Sequence, residues 1–361
     1  MQFETKAIKS IAEMDNLTHF YSAPDTLTVP LLNQANFSPK AVSAFSEIEL
    51  SSLERKLAKL EGGERACLWQ EDSISVWHAL VSSLPKDAHV LIPCPHEESS
   101  LSHLHEILIS EKLSYSCVDI YSPDSWAEAI TSQTQMLVLA SPTFPDLSII
   151  DLSFAGMFAR KHNLILAVDN SVNSPYLQQP LALGAHVVIH SGINFLSKQT
   201  MAPFGLLTGN KTLIESVKDR RSTNGMKFST FDLWLLKKSL ETLHLRVERQ
   251  CLNAQQMALC LLYNPRVSLV KYPFLPSHPQ VKLARKQMKF GGAELSFIHK
   301  GGKQGARKFI QSLSIIAKGK QTQENYTYAC HTDGEGRIKL FAGLEHEMDL
   351  CADLEKALAQ S

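Results

Sequence analysis

Two short stretches carry side chains placed to do chemistry. "LILAVD" ends on Asp169, and "HVVIH" ends on His190, followed by Ser191, Gly192, Ile193, Asn194 and Phe195. Both are apolar runs of strand length, and open α/β sheets bind ligands just beyond the carboxyl ends of their strands. Asp169 is therefore either a ligand group or a cap on its own following turn. The next amine along the chain is Lys198. A third cluster, Glu71-Asp72-Ser73 in "LWQEDSISVW", reads as the start of a helix. Backbone N–H groups at a helix start favour an anion. Two carboxylates there occupy the positive end of the dipole themselves and oppose an anionic ligand.

Other chemistries find little support. Of fourteen histidines, His103 and His105 point to different faces of one helix. His331 has Asp333 nearby but no third ligand at a metal-binding spacing. No GxSxG elbow, P-loop or GxGxxG is present. Lys plus Arg equal Asp plus Glu at 36 each, which gives no electrostatic case for a nucleic acid or a membrane surface. The seven cysteines are scattered without a CxxC pair. That pattern argues against a disulfide framework and suits a reducing cytosol. The opening "MQFETKAIKSIAEMDN" is too polar for a signal peptide, and no apolar run approaches the ~18–20 residues of a membrane span. A cytoplasmic protein is the expectation.

The elements that must position these groups follow from periodicity. Residues 1–48 lack a strong period and read as an extended N-terminal arm. From Glu49, Leu50, Leu53, Leu57 and Leu60 share one helical face, and Gly62-Gly63 end it. "HVLIP", "MLVLA", "LILAVD", "HVVIH" and "FGLLTG" have the length and unbroken apolar character of buried parallel strands. Ser99–Leu113 and Leu152–His162 read as helices between them, so residues 49–247 form an α/β domain with a mainly parallel sheet. One long helix is expected from "STFDLWLLKKSLETLHLRVERQCLNAQQMALCLLYNP", ended by Pro265. Residues 248–361, with "AELSFIHK", "RIKLFAG" and "EMDLCADLEKALAQ", form a smaller C-terminal α/β domain.

Taken together, "LERKLAKLEGGERA", "SPTFPDLSIIDL", "AVDNSVNSPYLQQPLALGAHVVIHS", "FDLWLLKKSLETLHLRVERQCLNA" and "GLEHEMDLCADLEKAL" resemble the Cys/Met-metabolism family of pyridoxal-phosphate enzymes. That family comprises the cystathionine synthases and lyases and methionine γ-lyase. "VPLLNQANF" is similar to the arm that precedes its cofactor domain. The resemblance implies a fold type I transferase-like chain, pyridoxal phosphate as cofactor, and a homo-oligomer, dimeric or tetrameric, whose active site is completed across an interface.

Residue by residue, the resemblance implies a vestigial pocket. Asp169 matches the carboxylate at the pyridine nitrogen and Ser191 a phosphate ligand. Asn194 stands where the family has its Schiff-base lysine, and a carboxamide cannot form an imine. Ile193 replaces a phosphate-binding threonine. Lys198 is a weak substitute, more simply a solvated surface lysine. Glu71, Asp72 and Ser73 replace the Ser-Gly-Met of the phosphate cradle, with Ser73 keeping a hydroxyl. His96, beside Glu97, falls near the stacking tyrosine, and Phe144 takes the place of an asparagine. Lys339 replaces the arginine that grips the substrate carboxylate, keeping charge but losing the bidentate fork. Two functions follow: a homologue with a degraded cofactor site, non-catalytic or altered in ligand, with an amino-acid-like small molecule in the cleft; or an active lyase or synthase on cysteine, cystathionine or methionine-type substrates with a relocated lysine.

Overall fold

The computed structural model describes residues 39–70, 73–94, 101–192, 204–218, 228–319, 325–332 and 335–361. Most of the expected arm, residues 1–38, lies outside them. Helix α1, Pro39–Glu61, begins ahead of Glu49, so the end of that arm is helical. A proline at the first helical position suits the start, and the leucine stripe covers only the later turns. Leu53, Leu57 and Leu60 are buried, and Gly62 closes the helix at φ +80°, a conformation that favours glycine.

Seven strands form the larger sheet: β1 Arg65–Gln70, β2 His89–Pro93, β3 Ser114–Val118, β4 Thr134–Ala140, β5 Ile165–Asp169, β6 Val187–Ser191 and β7 Phe204–Gly209. Their order is β1-β7-β6-β5-β4-β2-β3. Strands β3, β2, β4, β5 and β6 run parallel, whereas β7 is antiparallel to both β6 and β1. The expectation that "FGLLTG" lies parallel is therefore corrected. Burial on both faces makes a strand apolar whatever its direction. Helices α2 Ser73–Val81, α3 Leu104–Ser110, α4 Pro123–Glu128 and α5 Leu152–Lys161 connect the parallel strands. One face of the sheet packs Val90, Ile92, Met136, Val138 and Ile189 against α2 and α3. The other packs Leu137, Leu139, Leu166 and Val168 against α5. Each such buried aliphatic side chain contributes about 1.5–3 kcal/mol over exposure.

The expected single long helix is two, α6 Thr230–Glu241 and α7 Leu243–Leu262. At the break, the Thr242 hydroxyl donates to the Ser239 carbonyl, and the Arg246 guanidinium donates to the same oxygen at 2.8 Å. These bonds satisfy helix-end carbonyls locally. The apolar period continues through Thr242, so periodicity alone does not register it. Along α7, Leu243, Val247 and Cys251 belong to a core shared with α1 and α6, while Ala254, Met257, Ala258 and Leu261 belong to the C-terminal core.

That second core lies under a five-stranded sheet made of β8 Val267–Lys271, β9 Glu294–His299, β10 Ala317–Lys318, β11 Tyr328–His331 and β12 Arg337–Phe341, in the order β10-β11-β12-β9-β8. Helices α8 Gly302–Ser312 and α9 Glu347–Gln360 cover it. Cys260 of α7 and Cys351 of α9 are joined as a disulfide, with Cα atoms 6.3 Å apart. The scattered cysteines argue against a disulfide framework, and this is a single bridge rather than a framework. The two lie 91 residues apart, too far for any spacing motif to pair them. No described helix is long and apolar enough to cross a membrane.

Candidate functional site

Strands β5 and β6 are adjacent and parallel, with Asp169 opposite Ile189, so Asp169 and Ser191 arrive at the same end of the sheet. Asp169 is buried, and its Oδ1 accepts from the Ser171 backbone N–H at 2.9 Å. This is an Asx turn, with the side chain bonding the backbone two residues on. Ser171 Oγ then accepts from the Ser191 N–H at 2.7 Å. One serine thus ties the two strand ends that the sequence singles out. Gly192 follows with its N–H on the Phe204 carbonyl at 2.7 Å. A Cβ there would lie 2.3 Å from the Phe204 ring, so only glycine fits the approach of β6 to β7.

Behind this turn lies a buried polar network that the sequence reading passed over. His190 Nε2 is 2.7 Å from Glu61 Oε1, both side chains about 1% exposed. Asn170 donates to the same oxygen at 3.2 Å and to the Gln178 carbonyl at 2.9 Å. Gln178 and Asn173 each donate to the Ser141 carbonyl at 2.9 Å. The end of β4 is thereby tied to the turn after β5. The available sequence signal was Glu61 itself: a carboxylate in the last turn of a helix opposes the dipole, so its presence there points to another partner.

Across this region a segment bounded by Pro142 and Pro145, both preceded by cis peptides, carries Phe144. The Lys339 ammonium sits 4.6 Å from the Phe144 ring centroid and 3.0 Å from Glu294 Oε1, with both charged side chains mostly buried. Arg337 and Lys271 meet Asp146 at 3.5 and 3.8 Å. Ser296 Oγ donates to the Pro145 carbonyl at 3.0 Å. The C-terminal sheet therefore grips the Pro142–Asp146 segment through cations and hydroxyls. Tyr328, stacked on Phe341, has its phenol pushed well above the usual range, chiefly by burial and further by Glu294 and Cys330.

The structure therefore joins Asp169 to Ser191 and, separately, Phe144 to Lys339. Ser73 opens α2 and is half-buried. Glu71, Asp72, His96, Asn194 and Lys198 lie outside the described residues. Among those described, no group of three or more His, Cys, Asp or Glu side chains is placed to hold a metal ion.

The frame around these residues is shared with known proteins. The chain is 31% identical to L-methionine gamma-lyase of Pseudomonas putida, over 88% of this chain and 85% of that one. It is 30% identical to a cystathionine beta-lyase of Coxiella burnetii, over 94% and 96%. Its fold matches the crystal structure of MetB from Corynebacterium glutamicum with a TM-score of 0.84 at 27% identity, covering 99% and 98% of the two chains. With residues 45–322 matching the family model for the Cys/Met metabolism PLP-dependent enzymes, the chain belongs to that family.

Proposed function

We propose that this chain keeps the frame of the PLP-dependent sulfur-amino-acid enzymes but not their imine chemistry. In this reading it binds a small amino-acid-like ligand non-covalently in the cleft at Asp169 and Ser191. The observation that carries this is residue 194. A covalently held pyridoxal phosphate requires a lysine amine, and the chain has asparagine where the family's motif has lysine.

The donor set supports the same conclusion. The Asp169 carboxylate already accepts the Ser171 N–H. The Lys339 ammonium, at the position that grips the substrate carboxylate in the family, is compensated by Glu294 at 3.0 Å. An incoming carboxylate there must compete with one already present. By the resemblance, Glu71 and Asp72 replace neutral residues of the family's phosphate cradle with two carboxylates. Like charges about 4 Å apart repel by several kcal/mol at an intermediate dielectric. These residues do not fit a covalently bound cofactor. A cytoplasmic homo-oligomer is the setting we propose for the chain.

The test is an absorbance scan of the purified protein with added pyridoxal phosphate, before and after borohydride reduction. The expected result is no stable band near about 420 nm, the region of a lysine imine, and no reduced adduct by peptide mass mapping. An adduct on any lysine, Lys198 included, refutes the proposal and supports an active lyase or synthase instead.

A further inference from the structure

The bridge between Cys260 and Cys351 lies on a seam that other contacts also hold. Cys260 sits in the last turn of α7 and Cys351 in the second turn of α9. Earlier on α7, Arg249 meets Glu347 at 3.2 Å. Asn253 donates to the Gly343 and Glu345 carbonyls at 2.9 and 2.8 Å. Residues 249, 253 and 260 follow at i, i+4 and i+11, which is one face of a helix. Met257, Leu261, Leu350 and Leu354 from the same two helices are buried in one core. Both bridged cysteines, by contrast, are only partly buried.

From this geometry we infer that Cys260 and Cys351 form a reversible redox clasp, closed and opened by thiol–disulfide exchange with small disulfides and thiols of the glutathione class. Two features select a switch over a permanent staple. An attacking thiolate needs access to a sulfur, so exposed disulfides are the labile ones. The second feature is the seam itself. Its ion pair, buried amide and apolar contacts keep the reduced thiols facing each other. Their Cα separation of 6.3 Å is within the span of about 4.4–6.8 Å that a disulfide closes without backbone movement.

Closure balances without any further reactant. One cysteine thiolate attacks the small disulfide, breaks its S–S bond, forms a mixed disulfide and releases one small thiolate. The other cysteine then attacks the protein-side sulfur of that mixed disulfide, closing the bridge and releasing the second. The two cysteines give up two electrons and two protons, and the small disulfide takes up both and leaves as two thiols. The closed bond makes a ring of the chain that carries β8 through β12 and α8. It anchors that ring to α7, the helix that also reaches the other core through Leu243, Val247 and Cys251. A disulfide restricts the unfolded chain, more so for a longer loop. For a separation of 91 residues, set against the unfolding entropy of the whole chain, opening the clasp lowers Tm by about 6 °C.

The test equilibrates the full-length protein in anaerobic glutathione buffers, from fully reduced to fully oxidised, for wild type, Cys260→Ser and Cys351→Ser. Peptide mass mapping and thermal unfolding are read at each poise. The expected result is a Cys260–Cys351 peptide that appears with oxidised glutathione and disappears again with reduced glutathione under native conditions. The oxidised wild type should melt above the reduced one, by about 6 °C at full effect. Both serine variants should melt like reduced wild type at either poise. The reduced wild type is itself an unmutated comparison, should a variant fold poorly. A bridge that never forms, or one that excess reduced glutathione leaves closed, overturns the inference. So does an oxidised Tm equal to the reduced one, or a Tm shift that persists in the serine variants, which keep every other thiol.

Discussion

Replacing Glu61 by leucine removes the acceptor shared by His190 and Asn170. His190 loses the partner of Nε2, 2.7 Å away at a site from which water is excluded. Asn170 loses one bond but keeps the Gln178 carbonyl at 2.9 Å. Stranding a buried polar group by removing its hydrogen-bond partner costs about 1–3 kcal/mol. The upper end applies here, because both His190 and Asn170 lose an acceptor, although leucine also relieves the penalty of Glu61 Oε2, itself buried with no hydrogen-bond partner among the described residues. An unfolding entropy of about 2.1 cal/mol/K per residue, over 361 residues, gives about 0.76 kcal/mol/K. A loss of about 3 kcal/mol then lowers Tm by about 4 °C if the chain unfolds as one unit. Glu61→Gln keeps an acceptor and gives up the charge, so its loss is the smaller, about 1 °C in Tm. The assay is thermal unfolding followed by circular dichroism, with hydrogen exchange at the Asn170 and Ser191 amides as the local readout. A Glu61→Leu protein that melts with wild type, or no lower than Glu61→Gln, refutes the reasoning.

Two further outcomes follow from packing and protonation. Gly156→Ala sets a helix-propensity gain of about 0.8–1 kcal/mol against a Cβ only 2.8 Å from both Gly184 Cα and the Leu183 carbonyl oxygen. Backbone cannot yield as a side chain tip does, so overpacking of about 1–3 kcal/mol wins. The variant should unfold at lower urea than wild type; equal or greater resistance would contradict this. The second outcome is acid lability. His89, His186, His278 and His299 have their pKa values lowered, each chiefly by burial, with Arg160 adding to the effect at His186 and Arg266 at His299. Nδ1 of the last three accepts a backbone N–H, from Leu166, Gln280 and Gly301 respectively, a bond that protonation breaks. An unfolded histidine takes its proton near pH 6.5 and these native ones only lower. Their neutral forms therefore support full stability above about pH 6.5, and that support is lost as pH falls toward the native values, each site approaching about 1.4 kcal/mol per pH unit. The urea midpoint should drop between pH 7.5 and 5.5, and a midpoint that holds or rises would count against the assignment.

What could be read from the residues divides along physical lines. Apolar runs such as "MLVLA" and "LILAVD" declare buried strands because burial is a property of the run itself. The direction of β7 is set by its partners and leaves no mark on "FGLLTG". Strand β3, "SYSCV", escaped because it lies at the edge of the sheet, half-exposed and polar, where alternation is weak. The same logic governs the site. Asp169 and Ser191 are legible because strand ends are where ligands meet an α/β sheet. Glu61, Ser171 and Glu294 are not, since each matters through a partner on another element. Glu294 shows most plainly why the distinction affects function. In the sequence, Lys339 is a cation that the family resemblance alone would assign to a substrate carboxylate. In the fold its charge is compensated at 3.0 Å, and a side chain already holding a carboxylate has little left with which to recognise a second.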